Sequence, residues 1–312
     1  MGDKAENGSA DSTGLRRWGR IAFQVVFTGA VTYFLLRTFG ITFDRLRELN
    51  TAGVSFELLP LVGATLLFAI GHSVNAGTWA WLLRQSEQRD VASLVTLVRV
   101  FLVANLGRYI PGKVWQVASL SVAAQRLGVS ATVASIVAVA SQLVAVAAAA
   151  AWGASSLRQL EQVSLPLLGL VALGFAVLVL AGPAVLRWMI RHPRFPGDSS
   201  FNVSAKDLWA VAAVHLVNWG LYGLAFHLIA IALSVSVTPW ESMSYFGAAY
   251  VAGYLFLPAP AGIGVREGVL LLLLAGSAPA NALLAVTIIQ RLLITVTEVL
   301  PIPLLSPGRG YD

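Results

Sequence analysis

The apolar positions of this chain fall in continuous runs, and the runs come in two lengths. The long ones cover Ile21 to Leu36, Leu58 to Leu83, Ala131 to Trp152, Leu165 to Leu186, Leu208 to Leu233 and Ala282 to Leu300. At about 1.5 Å of rise per residue they predict helices that cross roughly 30 Å of hydrocarbon. The short ones come in two pairs, Val91 to Val103 with Val114 to Leu127, and Met243 to Phe256 with Val269 to Ala275. None of the four is long enough to span alone. What separates the members of each pair is a break: Asn105-Leu106-Gly107-Arg108-Tyr109-Ile110-Pro111-Gly112-Lys113-Val114-Trp115-Gln116 in the first, Leu257-Pro258-Ala259-Pro260-Ala261-Gly262-Ile263-Gly264-Val265-Arg266-Glu267-Gly268 in the second.

Pro258, Pro260, Gly262 and Gly264 make a straight helix through the second break untenable, because proline removes donors and glycine relaxes the backbone; Pro111 and Gly112 do the same in the first. Irregular backbone survives at membrane depth only where protein shields it or a watery cavity receives it, so each break marks a candidate site. Arg266 and Glu267 fall in the first turn after the second break, as an adjacent ion pair. There the free N–H groups, the helix dipole and Arg266 would hold an anionic headgroup, with Glu267 as counter-charge or proton acceptor. The plainer alternative is an ordinary extramembrane turn capped by Glu267.

If each broken segment enters and leaves on one face while the six long runs cross, the basic loops sort by the positive-inside rule. The amino terminus, Arg84 with Arg89, the stretch from Arg187 to Lys206 and Arg309 fall inside; Arg37, Arg45, Arg47 and Arg158 fall outside. Each half then reads span, span, re-entrant pair, span, with opposite orientations. The expected fold is an all-α polytopic membrane bundle: six full spans plus two opposed re-entrant broken-helix segments forming an inverted repeat. Residues 1–15 are expected to be a disordered cytoplasmic tail, 16–156 the first repeat, 157–305 the second and 306–312 a cytoplasmic tail. A cleaved signal peptide at the first run is the rival to an uncleaved span, and eight full spans are the rival to re-entrance. An echo supports the repeat: His72-Ser73-Val74-Asn75-Ala76-Gly77-Thr78-Trp79 matches His215-Leu216-Val217-Asn218-Trp219-Gly220-Leu221-Tyr222 at His, Val, Asn, Gly and a final aromatic. Paired interruptions in two halves point to a midplane binding site.

Composition narrows the class. A chain of 312 residues that is 57% hydrophobic and 12% charged, with a mean hydropathy of +0.76, is no ordinary soluble domain. Its net charge of +6 sits beside the apolar runs instead of forming a patch with interleaved aromatics, which speaks for membrane orientation and against nucleic acid. Without cysteine there is no disulfide, thiolate metal site or cysteine nucleophile. No P-loop, HExxH or G-x-S-x-G occurs, so no metal, cofactor or catalytic residue is assigned. The Asn202-Val203-Ser204 sequon falls in the expected cytoplasmic loop and carries no weight. Abundant alanine, valine and arginine hint at a bacterial source, hence a multi-pass protein of the inner membrane with both termini cytoplasmic.

Ionisable groups inside spans are costly, which makes each one a functional candidate. Arg108, Lys113 and Gln116 of the first break, Arg266 and Glu267 of the second, and Arg291 of the last run are the expected substrate contacts. His72, Asn75, His215, Asn218 and Glu298 form a candidate proton relay; Arg291 and Glu298, seven apart, share a face. Alternatives stay open: Arg108 and Lys113 snorkel to headgroups, Arg291 pairs structurally with Glu267 or Glu298, and the histidines are satisfied bundle residues.

Together, Arg108-Tyr109-Ile110-Pro111-Gly112-Lys113-Val114-Trp115 and Pro260-Ala261-Gly262-Ile263-Gly264-Val265-Arg266-Glu267-Gly268 resemble the membrane domain of lysylphosphatidylglycerol synthases and their stand-alone flippase-like relatives, over nearly the whole chain from Arg20 to Leu305. Many relatives carry Pro-Gly-x-x-Gly-Glu in the first break, where this chain reads Pro111-Gly112-Lys113-Val114-Trp115-Gln116. The resemblance implies movement of a lipid with a charged headgroup between leaflets. The synthases' aminoacyl-transferase domain does not follow Asp312 here, so transport without lysyl transfer is expected. The leading expectation is therefore a flippase for a phospholipid or a polyprenyl-phosphate-linked glycan. Its rivals are a membrane transferase acting on a lipid phosphate, and a membrane subunit tethering an envelope glycosyltransferase or lipid-modifying enzyme; homo-oligomers fit any of the three. The topology is testable on this cysteine-free chain: single cysteines at 158 and 277 should label from outside intact cells and one at 199 should be protected, whereas the reverse at 158 and 199 would remove the inverted repeat.

Overall fold

The computed structural model describes residues 57–87, 91–109, 114–159, 203–256 and 259–299, and among them the only regular structure is helical. In chain order the helices are α1 (Leu58–Glu87), α2 (Leu94–Asn105), α3 (Val114–Gln125), α4 (Ala131–Gly153), α5 (Ala205–Ala232), α6 (Pro239–Leu255), α7 (Val265–Leu273) and α8 (Ala280–Val299), with 3₁₀ turns at Leu106–Tyr109, Ala154–Gln159 and Pro260–Gly262. Four of them, α1, α4, α5 and α8, are long and apolar enough to cross a membrane. The remaining four are the two broken pairs. The Ile21 and Leu165 spans, the Arg187 loop and both tails lie outside the described residues, as do Pro111, Gly112, Lys113 and Pro258.

Polar residues set the helix starts. Ser93 and Ser130 accept from the N–H groups of Thr96 and Val133, while Ser204 with Asp207 and Thr238 with Glu241 form reciprocal capping boxes, the latter followed by Pro239. Each cap satisfies donors that would otherwise point into an apolar environment. The serine of the discounted sequon is thus the N-cap of α5.

Helices α1 and α5 pack antiparallel along most of their length, with the N–H of Glu57 donating to Ala232 O at 3.1 Å. Near the middle of α1, Asn218 Nδ2 donates to Asn75 Oδ1 at 2.9 Å and to Gly71 O at 3.2 Å, and Asn75 Nδ2 donates to the Tyr222 hydroxyl at 3.0 Å. The two asparagines of the sequence echo therefore face each other. Gly71 makes room for this, because a Cβ there would sit 2.7 Å from the Tyr222 ring. Interhelical amide bonds and small-residue contacts hold helices together where lipid removes the hydrophobic drive.

Two apolar cores lie on either side of that contact. One gathers Phe68, Trp219, Phe226, Phe246, Leu270 and Val286; the other gathers Trp79, Leu83, Leu97, Phe101, Leu120 and Val137. Around them α1 packs on α2 as α5 packs on α6, α2 on α3 as α6 on α7, and α3 on α4 as α7 on α8. The close approach of α4 to α6 lacks a comparable counterpart between α8 and α2.

The second break ends sooner than the sequence predicts, since α7 begins at Val265 and includes Gly268. Its backbone is left-handed at Ala261 (φ 49°), Gly262 (φ 72°) and Gly264 (φ 85°). Gly262 also presses on α6, where a Cβ would stand 2.8 Å from Gly253 Cα. Gly262→Ala is therefore expected to cost about 1–3 kcal/mol in a thermal or denaturant melt of the detergent-solubilised chain, because strain and overlap add. Gly268→Ala, in open space within a helix, should be neutral or stabilise by up to about 1 kcal/mol.

Candidate functional site

The first break is folded by the same close packing that shapes the second. Beyond Asn105 the chain tightens into the Leu106–Tyr109 turn, and α3 returns over Gly107, where a Cβ would lie 2.8 Å from Trp115 O. The turn delivers Arg108 and Tyr109 to the buried end of α8. There Glu298, 2% exposed, receives Arg108 Nη2 at 2.6 Å on Oε1 and the Tyr109 hydroxyl at 2.5 Å on Oε2. His72 Nε2 lies 2.7 Å from Oε1. The guanidinium of Arg108 is thereby turned to a buried carboxylate. Glu298, and not Glu267, holds this arginine.

The histidine's protonation follows from its other nitrogen. His72 Nδ1 is 2.7 Å from Phe68 O, and a carbonyl only accepts, so Nδ1 carries hydrogen. Nε2 and Glu298 Oε1 then share the remaining proton, either as imidazolium and carboxylate or as imidazole and carboxylic acid. His72 and Glu298, two of the five expected relay residues, thus stand in hydrogen-bond contact.

In the second break Glu267, 2% exposed, accepts from the N–H of Gly264 at 2.7 Å and faces Arg291 Nε at 4.0 Å. Arg291 donates through Nη1 and Nη2 to Ala261 O at 3.4 Å each, so it braces the left-handed turn. Arg266 does not pair with Glu267. Successive helical residues project about 100° apart, and Arg266 instead lies over the Tyr250 ring at 4.2 Å. Among the described residues no carboxylate comes within ion-pair distance of Arg266.

The two breaks meet: the Leu106–Tyr109 and Pro260–Gly262 turns are in contact. Beside them lies a cavity of about 70 Å³, bounded by Arg108 and Gln116 from the first break, Arg266 from the second, His72, Asn75 and Trp79 from α1, His215 and Tyr222 from α5, and Gln142 from α4. Gln116 Nε2 donates to Asn105 Oδ1 at 2.8 Å in its wall. Five buried polar atoms of lining residues, Trp79 Nε1, Arg108 Nε, Ser141 Oγ, His215 Nδ1 and Arg266 Nε, have no hydrogen-bond partner. Such atoms call for water or a ligand, and the volume accommodates on the order of five waters.

Of the predicted site residues, the structure joins His72, Arg108 and Glu298 in one cluster and Glu267 and Arg291 in another, with Arg266 between cavity and Tyr250. Asn75 and Asn218 form the helix crossing. Pro260 opens the 3₁₀ turn, and Gly264 precedes α7. Sequence reasoning missed Tyr109, Tyr250 and the Ser141–Gln142 pair. Tyr109 stood beside Arg108, and the pair was visible as the polar interruption of an alanine-rich span; nothing local marked Tyr250.

A family model described as the lysylphosphatidylglycerol synthase TM region matches residues 21–301. No individual curated protein matches the chain.

Glu298→Ala should destabilise the protein by about 3–5 kcal/mol, since it strands a buried guanidinium and the histidine's donor. Glu298→Leu combined with Arg108→Leu should cost clearly less than the sum of the single changes. Thermal melts of the four detergent-solubilised proteins complete the cycle, and additivity would show that the two side chains are not coupled.

Proposed function

Since the chain belongs to the lysylphosphatidylglycerol synthase TM-region family and is a multi-pass membrane protein, we propose that it carries a lipid with an anionic headgroup between leaflets. The observation that carries this reading is a cationic, partly unsatisfied cavity bounded by both broken segments. A headgroup held there would be shielded from the hydrocarbon, while its acyl chains trail in lipid outside the helices. Arg108 and Arg266 engage phosphate, Lys113 and Gln116 assist from the first break, and Glu267 with Arg291 stiffens the second.

In this reading the bundle is an inverted repeat of six spans and two re-entrant pairs, set in a bacterial inner membrane with both termini cytoplasmic. The antiparallel α1–α5 crossing at Asn75 and Asn218 supports it, as do the matching helix contacts of the two halves. Such a repeat lets the breaks exchange access to one site. The His72–Glu298 pair offers a proton-coupled power source in a chain without a nucleotide motif.

The test is lipid movement by the purified full chain in phosphatidylcholine vesicles containing trace fluorescent phosphatidylglycerol, read as the fraction reached by an external quencher. Wild type should raise the rate of exchange. Arg266→Ala and Glu267→Gln, at equal reconstitution, should lower it by about tenfold or more, as expected for loss of charge-assisted contacts. Wild-type rates in both variants would overturn this assignment of the site.

A further inference from the structure

The buried charges are unevenly matched. Around the two breaks, among the described residues, three guanidiniums, half-buried Arg108 with buried Arg266 and Arg291, stand against two buried carboxylates; Glu298 has both oxygens engaged, and Glu267 has one engaged while its Oε1 faces Arg291 at 4.0 Å without a hydrogen bond. Glu298 serves Arg108, His72 and Tyr109, while Glu267 serves the Gly264 N–H and faces Arg291. The surplus positive charge is Arg266, which cannot deprotonate and whose face rests on Tyr250. Among the described residues, no carboxylate lines the cavity it borders.

The orphaned atoms define what would complete it. Arg108 Nε, Arg266 Nε and Trp79 Nε1 can only donate. Thr78 gives its single hydroxyl hydrogen to main-chain Val74 O or Asn75 O, both at 3.0 Å, so at 3.3 Å it accepts from His215 Nε2. In the neutral ring His215 Nδ1 is consequently an acceptor, and it too is unpartnered. Trp79 is 0%, His215 2% and Arg266 7% exposed. The lining thus offers three donors, two of them on guanidiniums, and one acceptor suited to a hydroxyl.

We propose that this cavity is a binding site for a phosphate ester whose head is uncharged and hydroxyl-bearing, and that it discriminates against heads carrying an ammonium group. The inference rests on the transport reading above and names its substrate class. The oxyanion lies between Arg266 and Trp79, and a hydroxyl of the head donates to His215 Nδ1. An ammonium group would enter beside Arg108 and Arg266 with no carboxylate to receive it, so an aminoacylated or ethanolamine lipid is refused. Space for about five waters is space for the four oxygens of a phosphate.

The test is lipid retention by the detergent-purified full chain in native mass spectrometry, with phosphatidylglycerol, phosphatidylethanolamine and lysylphosphatidylglycerol at equal concentration. Phosphatidylglycerol should be retained about tenfold over either amine lipid. Arg266→Gln should erase that preference, and Arg266→Lys should keep part of it. Trp79→Phe, which preserves the ring packing and removes only the N–H, should weaken retention several-fold, so a folding defect at Arg266 does not decide the matter. Equal or better retention of the amine lipids, or a preference untouched by Arg266→Gln and Trp79→Phe, overturns the proposal. Competition by millimolar inorganic phosphate would show that the oxyanion alone suffices; its failure would show that the lipid head is needed, and either result keeps the site. Selective binding without lipid movement would sink the transport reading alone, while movement without selectivity would sink this one alone.

Discussion

A carboxylate removed from water has to be surrounded by donors, and Glu298 meets that requirement by drawing on two other parts of the chain. Arg108 and Tyr109 come from the first break, His72 from the middle of α1, and the carboxylate itself from the end of α8. The desolvation cost of an ion in such surroundings is several kcal/mol and is offset only when geometry is good and the remaining lone pairs are used. Irregular backbone in the first break therefore has an anchor that glycine and proline alone could not provide. The same contact fixes one wall of the cavity, because Arg108 touches both Glu298 and the space beside it.

The second break solves an equivalent problem by other means. Helices α3 and α7 begin at Val114 and Val265, so Gln116 and Glu267 both stand at the third position of a returning half-helix. In α7 the carboxylate closes the helix start through the Gly264 N–H, and Arg291 braces the turn from α8. In α3 the amide is turned to Asn105 instead. The negative charge absent from the first half-helix is supplied from a distance by Glu298. Both breaks are thus tied to α8, through Arg108 in one case and Arg291 in the other, and a shift of α8 would be felt by both.

Helix positions and the existence of both breaks were legible in the sequence because their causes are local. Ser93, Ser130, Ser204 and Thr238 stand at the helix starts, and prolines and glycines stand in the second break, where the left-handed backbone needs them. Pairing was not legible, because it depends on three-dimensional neighbours. Arg266 and Glu267 looked like a pair through adjacency, yet adjacency on a helix turns side chains apart. Arg108 and Glu298 looked unrelated and are partners. The echo of His72 and Asn75 in His215 and Asn218 had an ambiguous meaning in one dimension; at the crossing of α1 and α5 the Asn218 amide donates to Asn75 and the Asn75 amide donates on to Tyr222.

Stability alone does not account for the arrangement between the breaks. A bundle optimised for packing would replace buried ions by apolar residues of similar volume, which is often neutral or favourable. It would not leave a third guanidinium without a carboxylate, nor an indole N–H, an imidazole nitrogen and a serine hydroxyl unpaired on one small cavity. A buried polar group without a partner costs free energy, and a polar ligand or water that supplies the partner recovers it. Tyr250 fits the same logic, because a ring face holds Arg266 in place without neutralising it. The cation stays available to a negatively charged ligand.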